Sequence, residues 1–294
     1  MNTTIFKTRD VNDVLFPVEK VEEERWATDS ELSHNVIVYP DAHPKGLKVN
    51  SCGEGYNLMD NAIFVVIMNM LSEAGIEFEV DFECRDFSDF TANFVLKSKN
   101  GVSLGAMVTD GDMVTPRLSI RKSYNSKSKY AFMFGFYRLI CSNGLVIPVE
   151  ELKHLNFNYV GKHTNKLDES VATLLKKITT FQDFVASHNV FGNMRKLANN
   201  THVADFAERI EEVMNATNLS LSGRGRKSKD GDERKENVEK IISIAKRESA
   251  QLDQPMNDWL IYNAINNWLY NDNVKTNEER ETIDQKVVAY MLQN

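Results

Sequence analysis

The run IEFEVDFE, residues 76–83, is the pattern from which the fold class of this chain is predicted. Its apolar residues alternate with four acidic ones, which is the period-two pattern of a strand with one buried and one solvated face. Just upstream, residues 57–75 would carry apolar side chains on nearly every face if they formed a helix, and the segment ends at Gly75. That pattern is typical of a buried helix closed by a glycine in the left-handed conformation. The chain therefore changes from helix to strand at Gly75.

Strand patterns continue downstream of this stretch. Phe90–Lys97 and Val102–Thr109 flank Asn100-Gly101, and Asn-Gly between two such runs is the strongest short-range signal for a hairpin. The dipeptide Asp110-Gly111 marks the end of the second run. The middle of the chain is thus a series of antiparallel strands.

Two further strands, Val114–Ser123 and Tyr130–Arg138, are predicted to pair with each other. Pro116 cannot donate a ladder hydrogen bond, so it places the start of the first of them near a sheet edge. From about Pro148 the apolar spacing becomes helical. We predict an α+β fold, an antiparallel β-meander of four to five strands packed on a buried helix and followed by a helical C-terminal region.

The domain organisation follows from these patterns. The first segment has weak periodicity, with one short strand expected at Asn35–Tyr39, and SGRGRKSKDGDERKE at 222–236 has the composition of a linker. The predicted order is an irregular N-terminal arm (1–45), an α+β core domain (46–165), a helical region (166–220), a flexible basic linker (221–236) and C-terminal helices (237–294).

The composition is that of a globular protein: 294 residues, 42% hydrophobic, with a net charge of −7. Three cysteines at wide spacings argue against a disulfide framework. The N-terminus lacks the basic and apolar regions of a secretory signal, and the main apolar run, Ala62–Leu71, is too short to cross a bilayer. We expect a cytoplasmic protein that makes no membrane contact.

The mean charge conceals a strong asymmetry. Residues 1–96 hold 7 Lys/Arg and 18 Asp/Glu, whereas residues 97–138 hold 8 Lys/Arg and only two acidic residues. Basic side chains interleaved with aromatic ones suit single-stranded nucleic acid, because phosphates need cations and bases need stacking platforms. A solvated sheet face is the alternative explanation. The nucleic-acid hypothesis assigns the contacts to Arg117, Arg121, Lys122, Tyr124, Lys127, Lys129, Tyr130 and Arg138.

Common catalytic and metal motifs are absent from the sequence. It contains no phosphate loop, no HExxH, no GxSxG and no CxxC, and no two histidines are spaced i, i+4. The acidic runs Glu77–Glu83 and Asp86–Asp89 leave a magnesium-dependent nuclease open as a hypothesis. We expect a binding protein rather than an enzyme, with no cofactor and no metal.

The segment DMVTPRLSIRKSYNSKSKYAFMFGFYRLICSNGLVI, residues 112–147, resembles the core signature of a phage- and plasmid-encoded family, domain of unknown function nine-three-two. In that family a proline before a strand, a serine turn, an aromatic strand and an R-x-x-C-x-N-G-L ending follow one another, with a histidine further on. The matching residues are Pro116, Ser123, Arg138, Cys141, Asn143, Gly144 and His163. The resemblance covers roughly residues 37–188.

The resemblance implies a setting in mobile elements, that is, DNA replication, recombination or counter-defence in a host cell's cytoplasm. By fold-level analogy, a strand meander on a helix is also similar to single-strand annealing proteins of the Rad-fifty-two type. We therefore expect a DNA-associated protein that binds single-stranded DNA, with strand annealing by a homo-oligomer as its most concrete form. A protein-interaction or counter-defence module that uses the acidic N-terminal face to bind a host or phage protein is the alternative, and a metal-dependent nuclease is the third.

The position of Arg138 also supports an interpretation that does not depend on the family resemblance. An arginine at the end of an apolar strand, where the chain enters a turn, needs a carbonyl or carboxylate partner. The sequence predicts such a partner without identifying it.

Overall fold

The computed structural model describes residues 4–22, 34–54, 56, 58, 60–125, 130–138, 144–145, 157–159, 176, 178, 180, 183, 185, 189–201, 205–217, 219, 232–271 and 277–293. The chain forms two compact units, each made of separate segments. Unit 1 contains Met1–Leu104, Arg117–Phe134 and His154–Phe181, and unit 2 contains Gly105–Pro116, Gly135–Lys153 and Gln182–Asn294.

The strands are β1 (Ile5–Thr8), β2 (Val18–Glu22), β3 (His34–Val38), β4 (Leu47–Cys52), β5 (Ile76–Arg85), β6 (Asp89–Lys99), β7 (Val102–Ser103), β8 (Ala106–Thr109), β9 (Asp112–Ser123), β10 (Tyr130–Arg138), β11 (Gly144–Leu145) and β12 (Phe157–Tyr159). The helices are α1 (Ala62–Glu73), α2 (Val190–Asn199), α3 (Phe206–Ala216), α4 (Asp232–Leu252), α5 (Asp258–Asn271) and α6 (Asn277–Gln293), with a 3-10 helix at Val11–Val14.

Unit 1 is built on an antiparallel sheet in the order β1-β5-β6-β9-β10, with β7 beside β6 and β12 beside β10. Helix α1 packs on this sheet, and the rings of Phe64 and Phe82 lie 5.4 Å apart between their centroids. Gly75 ends the helix region with a φ of +70°, as the sequence predicts. A second, three-stranded sheet is ordered β2-β3-β4.

Unit 2 contains the β8–β9 hairpin, the end of β10 with β11, and the helices α2 to α6. Helix α5 is buried along nearly its whole length, with Trp259, Leu260 and Ile265 at 0% exposure. Together the two units confirm the predicted class: α+β, with antiparallel sheets, a buried helix and a mostly helical C-terminal region.

The N-terminal segment corrects one prediction. Residues 1–45, predicted to be an irregular arm, contain β1, β2 and β3, and only the strand expected at Asn35–Tyr39 was anticipated, now at His34–Val38. β1 is four residues long and pairs with β5, some 80 positions away in sequence. Strands this short carry too little periodicity to be recognised, because partners distant in the chain stabilise them.

Two predictions about strand boundaries also change. The run Val102–Thr109 is two strands, because Leu104 and Gly105 redirect the chain from β6 to β9. Pro116 is buried inside β9 rather than near its start. It lies between Val114, which pairs with β8, and Arg117, which pairs with β6. The proline's missing N–H falls where the neighbouring strand changes, so it removes no bond from either ladder.

The predicted linker is helical at its end. Asp232–Glu236 belong to α4, since Glu, Lys and Arg are good helix formers and the helix simply continues upstream. The rest of the predicted linker, residues 221–231, lies outside the described residues.

Candidate nucleic-acid interface

The outer face of β9, opposite α1, carries two of the predicted DNA-contacting residues. Arg117 and Arg121 are both partly exposed. Four positions apart in a strand, they point to the same face and lie about 13 Å apart along it. Their neighbours on β6 are Val95 and Thr91. Two cations therefore line one strand in the part of unit 1 that the prediction singled out.

The acidic column of β5, which consists of Glu79, Asp81 and Glu83, lies on the same face of this sheet. Ion pairs partly neutralise its charge. Lys97 Nζ lies 3.2 Å from Glu79, Arg9 Nε lies 3.0 Å from Asp81, and Lys7 Nζ lies 3.5 Å from Glu83. These pairs are exposed and contribute little to stability. They do reduce the repulsion that the carboxylates would exert on a polyanion near β9.

Lys122 and Tyr124 correct the prediction, because neither reaches the surface. Lys122 is 0% exposed and Tyr124 is 1% exposed. Adjacent residues in a strand point to opposite faces, so an outward Arg121 places Lys122 inward with Leu118 and Ile120. The sequence contained this signal: apolar residues at 118 and 120 mark the face of Lys122 as the core. A phosphate contact by Lys122 and base stacking by Tyr124 are therefore wrong.

The amine of Lys122 lies among aromatic rings. Its Nζ is 4.4 Å from the ring centroid of Tyr124, 5.7 Å from that of Phe90 and 5.9 Å from that of Phe64, and it donates a hydrogen bond of 3.3 Å to the Tyr124 hydroxyl. We call these three rings the Lys122 cage. Burial lowers the pKa of Lys122 well below its usual value, and the negative charge of Asp60 only partly opposes this effect.

Arg138 is the third correction. Its side chain is 0% exposed, so it contacts no DNA phosphate. The guanidinium Nε donates to both carboxylate oxygens of Asp112, at 2.8 and 2.9 Å, and Nη1 donates to Glu248. Of the two kinds of partner expected for Arg138, a carbonyl or a carboxylate, the structure shows carboxylates, and there are two of them.

Trp259 completes this buried cluster in unit 2. Its indole N–H donates to Asp112 at 2.7 Å, and its ring centroid lies 5.6 Å from the Arg138 guanidinium carbon. Asp112, Arg138, Glu248 and Trp259, the Arg138 cluster, thus join β9, β10, α4 and α5. Sequence reasoning missed Glu248 and Trp259 because nothing local marks two helical residues as partners of a distant strand.

One protein-family model matches this chain. The family model described as Domain of unknown function (DUF932) matches residues 48–289, most of the chain. The chain belongs to the DUF932 family. The match runs well beyond residue 188, where the resemblance in the sequence ends, so the C-terminal helices are part of the DUF932 region. No curated protein and no solved structure matches the chain.

The DUF932 signature residues that the structure describes serve the fold. Pro116 is buried at the change of pairing partner, and the buried Ser123 donates its hydroxyl to Asn125 at 2.6 Å. Gly144 pairs with Tyr137 in β11. Lys127, Lys129, Cys141, Asn143 and His163 lie outside the described residues, and of Tyr130 only the backbone is described.

Within the described residues, no group of three or more His, Cys, Asp or Glu side chains is placed to hold a metal ion. In the same part of the chain, no helix combines the length and apolarity needed to cross a membrane.

Proposed function

We propose that this DUF932 protein binds single-stranded DNA through the outer face of β9. The observation that carries the proposal is the pair Arg117 and Arg121, partly exposed on one face of one strand. Lys127 and Lys129, which lie outside the described residues, follow β9 in the sequence and belong to the same proposed contact set. The buried Lys122, Tyr124 and Arg138 are excluded from it.

Charge supports this assignment. Phosphate contacts dominate the affinity of proteins for nucleic acids, and binding releases counterions in proportion to the number of contacts. The ion pairs on β5 leave the neighbouring carboxylates partly neutralised. A strand that presents cations in an extended row matches a backbone that presents phosphates in a row.

Annealing is the most concrete form of this function. A protein that anneals must hold two strands together, so the proposal includes a homo-oligomer, in which each copy contributes one cationic track. It also includes a cytoplasmic location and an origin in a mobile element, as the family resemblance implies.

The test is fluorescence anisotropy of a labelled oligothymidine titrated with protein at several salt concentrations, with light scattering on the same samples. Arg117→Ala/Arg121→Ala should weaken binding and lower the slope of log affinity against log salt by about 1.4, at about 0.7 per phosphate contact for single strands. The matched control, Lys45→Ala/Lys48→Ala, removes the same charge from exposed positions at β4 and should bind almost as the wild type does.

Two results would contradict the proposal. Absence of binding by the wild type at low salt would do so outright, and equal losses in the double variant and its control would show that only net charge matters. The alternative, a module that binds a host or phage protein through the acidic column of β5, would then be examined with Glu79→Gln/Asp81→Asn in a pull-down. Loss of the oligonucleotide only in the presence of magnesium would instead point to the nuclease.

A further inference from the structure

The Lys122 cage has a role that DNA binding does not use. Lys122 on β9 stands directly opposite Phe90 on β6, and Phe90 in turn stands opposite Cys84 on β5. Phe64 of α1 closes the cage from the helix side. The amine therefore lies where α1 packs on the sheet, near the C-terminal end of β9.

Among the described residues, the groups around the cage that can titrate or carry charge are these. The segment before α1 provides Asp60, whose negative charge favours the ammonium form, and Tyr56, whose hydroxyl donates to the carbonyls of Ser123 and Tyr124. Burial raises the pKa of the Cys84 thiol to about 12 and also raises the pKa of Tyr124. Both of these groups are neutral at neutral and mildly alkaline pH.

The amine thus has two physical options. As an ammonium it would gain cation–π attraction from three rings but lose its hydration inside an aromatic core. As a neutral amine it loses little on burial and still donates to the Tyr124 hydroxyl. The exposed Asp60 is the charge that favours the ammonium, and complete burial of Lys122 outweighs it.

We propose that Lys122 makes the attachment of β9 to α1 a proton-operated clasp. While the amine is uncharged, the clasp is closed and β9 stays attached to α1. Protonation opens the clasp, because the ammonium must leave the Lys122 cage to be hydrated. Opening frees the end of β9 at Leu118–Ser123. The clasp is a property of unit 1 itself and is independent of whether DNA is the ligand.

The sign of the pH effect follows from proton linkage. The unfolded chain keeps Lys122 protonated up to about pH 10.4, whereas the folded chain releases the proton at lower pH. Between those two values the unfolded state binds one more proton, so stability rises with pH. The folding equilibrium constant should increase by about tenfold per pH unit from this residue alone.

The experiment compares chemical unfolding of the wild type, Lys122→Met and Lys97→Met between about pH 7.5 and 9.5, above the range in which histidines titrate. Relative to the wild type, Lys122→Met should lose a stability increase of up to about tenfold per pH unit, because methionine fills the cage without a titrating group, while the buried thiols act equally in both proteins. Lys97→Met removes an exposed lysine of β6 and should retain the wild-type dependence. Equal pH dependence in wild type and Lys122→Met would overturn the proposal.

A measurement on the wild type alone covers the case in which Lys122→Met does not fold. NMR of lysine Cε in the native protein reports the charge of each amine directly. A Lys122 signal in the neutral form, together with faster amide exchange at Leu118–Ser123 once that signal titrates, supports the clasp. An ammonium signal throughout, or exchange that does not follow the titration, contradicts it. Neither readout involves DNA, so failure of the clasp and failure of DNA binding are distinguishable.

Discussion

At the scale of single residues, the treatment of buried charge separates the two units. In unit 1 the amine of Lys122 is enclosed by aromatic rings, whereas in unit 2 Arg138 is enclosed by two carboxylates with side-chain exposures of 0% and 1%. Removing an ion from water costs several kcal/mol unless a partner and hydrogen bonds compensate. Arg138 has both, which explains a fully buried arginine at the end of an aromatic strand.

Arg138→Met should therefore destabilise the protein by about 3–5 kcal/mol, since it leaves Asp112 and Glu248 buried without their cation. The free energy of unfolding in urea measures this loss. Arg121→Met, a partly exposed arginine on the same sheet, serves as the control and should cost less than about 1 kcal/mol. Adding Glu248→Gln to Arg138→Met should recover part of the loss. If Arg138→Met proved as stable as its control, the charge pairing would not hold the cluster together.

At the scale of elements, two tight turns meet at one end of the unit 1 sheet. Gly75, between α1 and β5, has a φ of +70°, and Gly101, between β6 and β7, has a φ of +79°. The backbone N–H of Asn100 donates to the carbonyl of Gly75 at 2.8 Å. A Cβ on Gly75 would lie 2.0 Å from the Asn100 side-chain oxygen, whereas a Cβ on Gly101 would meet nothing within 4 Å.

The two glycines allow strain to be separated from steric clash. Gly101→Ala should cost about 1–2 kcal/mol, the price of a left-handed conformation for a residue with a Cβ. Gly75→Ala should cost more, because it carries the same strain and also displaces the Asn100 side chain. Thermal unfolding of both variants gives the comparison, and Gly75→Ala/Asn100→Gly should bring the cost back towards that of Gly101→Ala. Equal costs for the two single variants would show that the contact with Asn100 is unimportant.

At the scale of the whole molecule, the two units are not consecutive along the chain. β9 and β10 each begin in one unit and end in the other. Asp112 and Arg138 of unit 2 are provided by the middle of the sequence, and their partners Glu248 and Trp259 by the C-terminal helices. A fragment cut between the central and C-terminal regions therefore separates residues that need each other.

The fragment of residues 1–231 should fail to form native unit 2, because Arg138 and Asp112 lose Glu248 and Trp259 together with the helices that bury them. Amide exchange at Asp112–Val114 should approach unprotected rates in the fragment. Full-length Trp259→Phe is the comparison: it removes the indole donor and leaves a smaller ring at a fully buried position, so it should fold with a loss of about 1–3 kcal/mol. Native protection at Asp112–Val114 in the fragment would show that the C-terminal helices are dispensable for this cluster.

Much of the fold was predictable from short-range patterns. The alternation at 76–83 predicts β5, and Asn100-Gly101 predicts the turn between β6 and β7. β10 has the predicted bounds Tyr130–Arg138. The candidate interface was predictable only in part. Arg117 and Arg121 are on the surface, but the count of basic residues could not distinguish them from Lys122 and Arg138, which face the interior.

Local sequence patterns were sufficient for the α+β class, the family and the need of Arg138 for a carbonyl or carboxylate partner. These depend on backbone geometry, side-chain period and the cost of burying an ion, all of which are local to a few residues. Which carboxylates pair with Arg138 depends on the tertiary packing, because one lies 26 residues away in the sequence and the other 110 residues away. The same packing encloses Lys122 in rings from α1, β6 and the segment after β9. Burial arises only when distant segments pack together, and desolvation then determines what each charge can do.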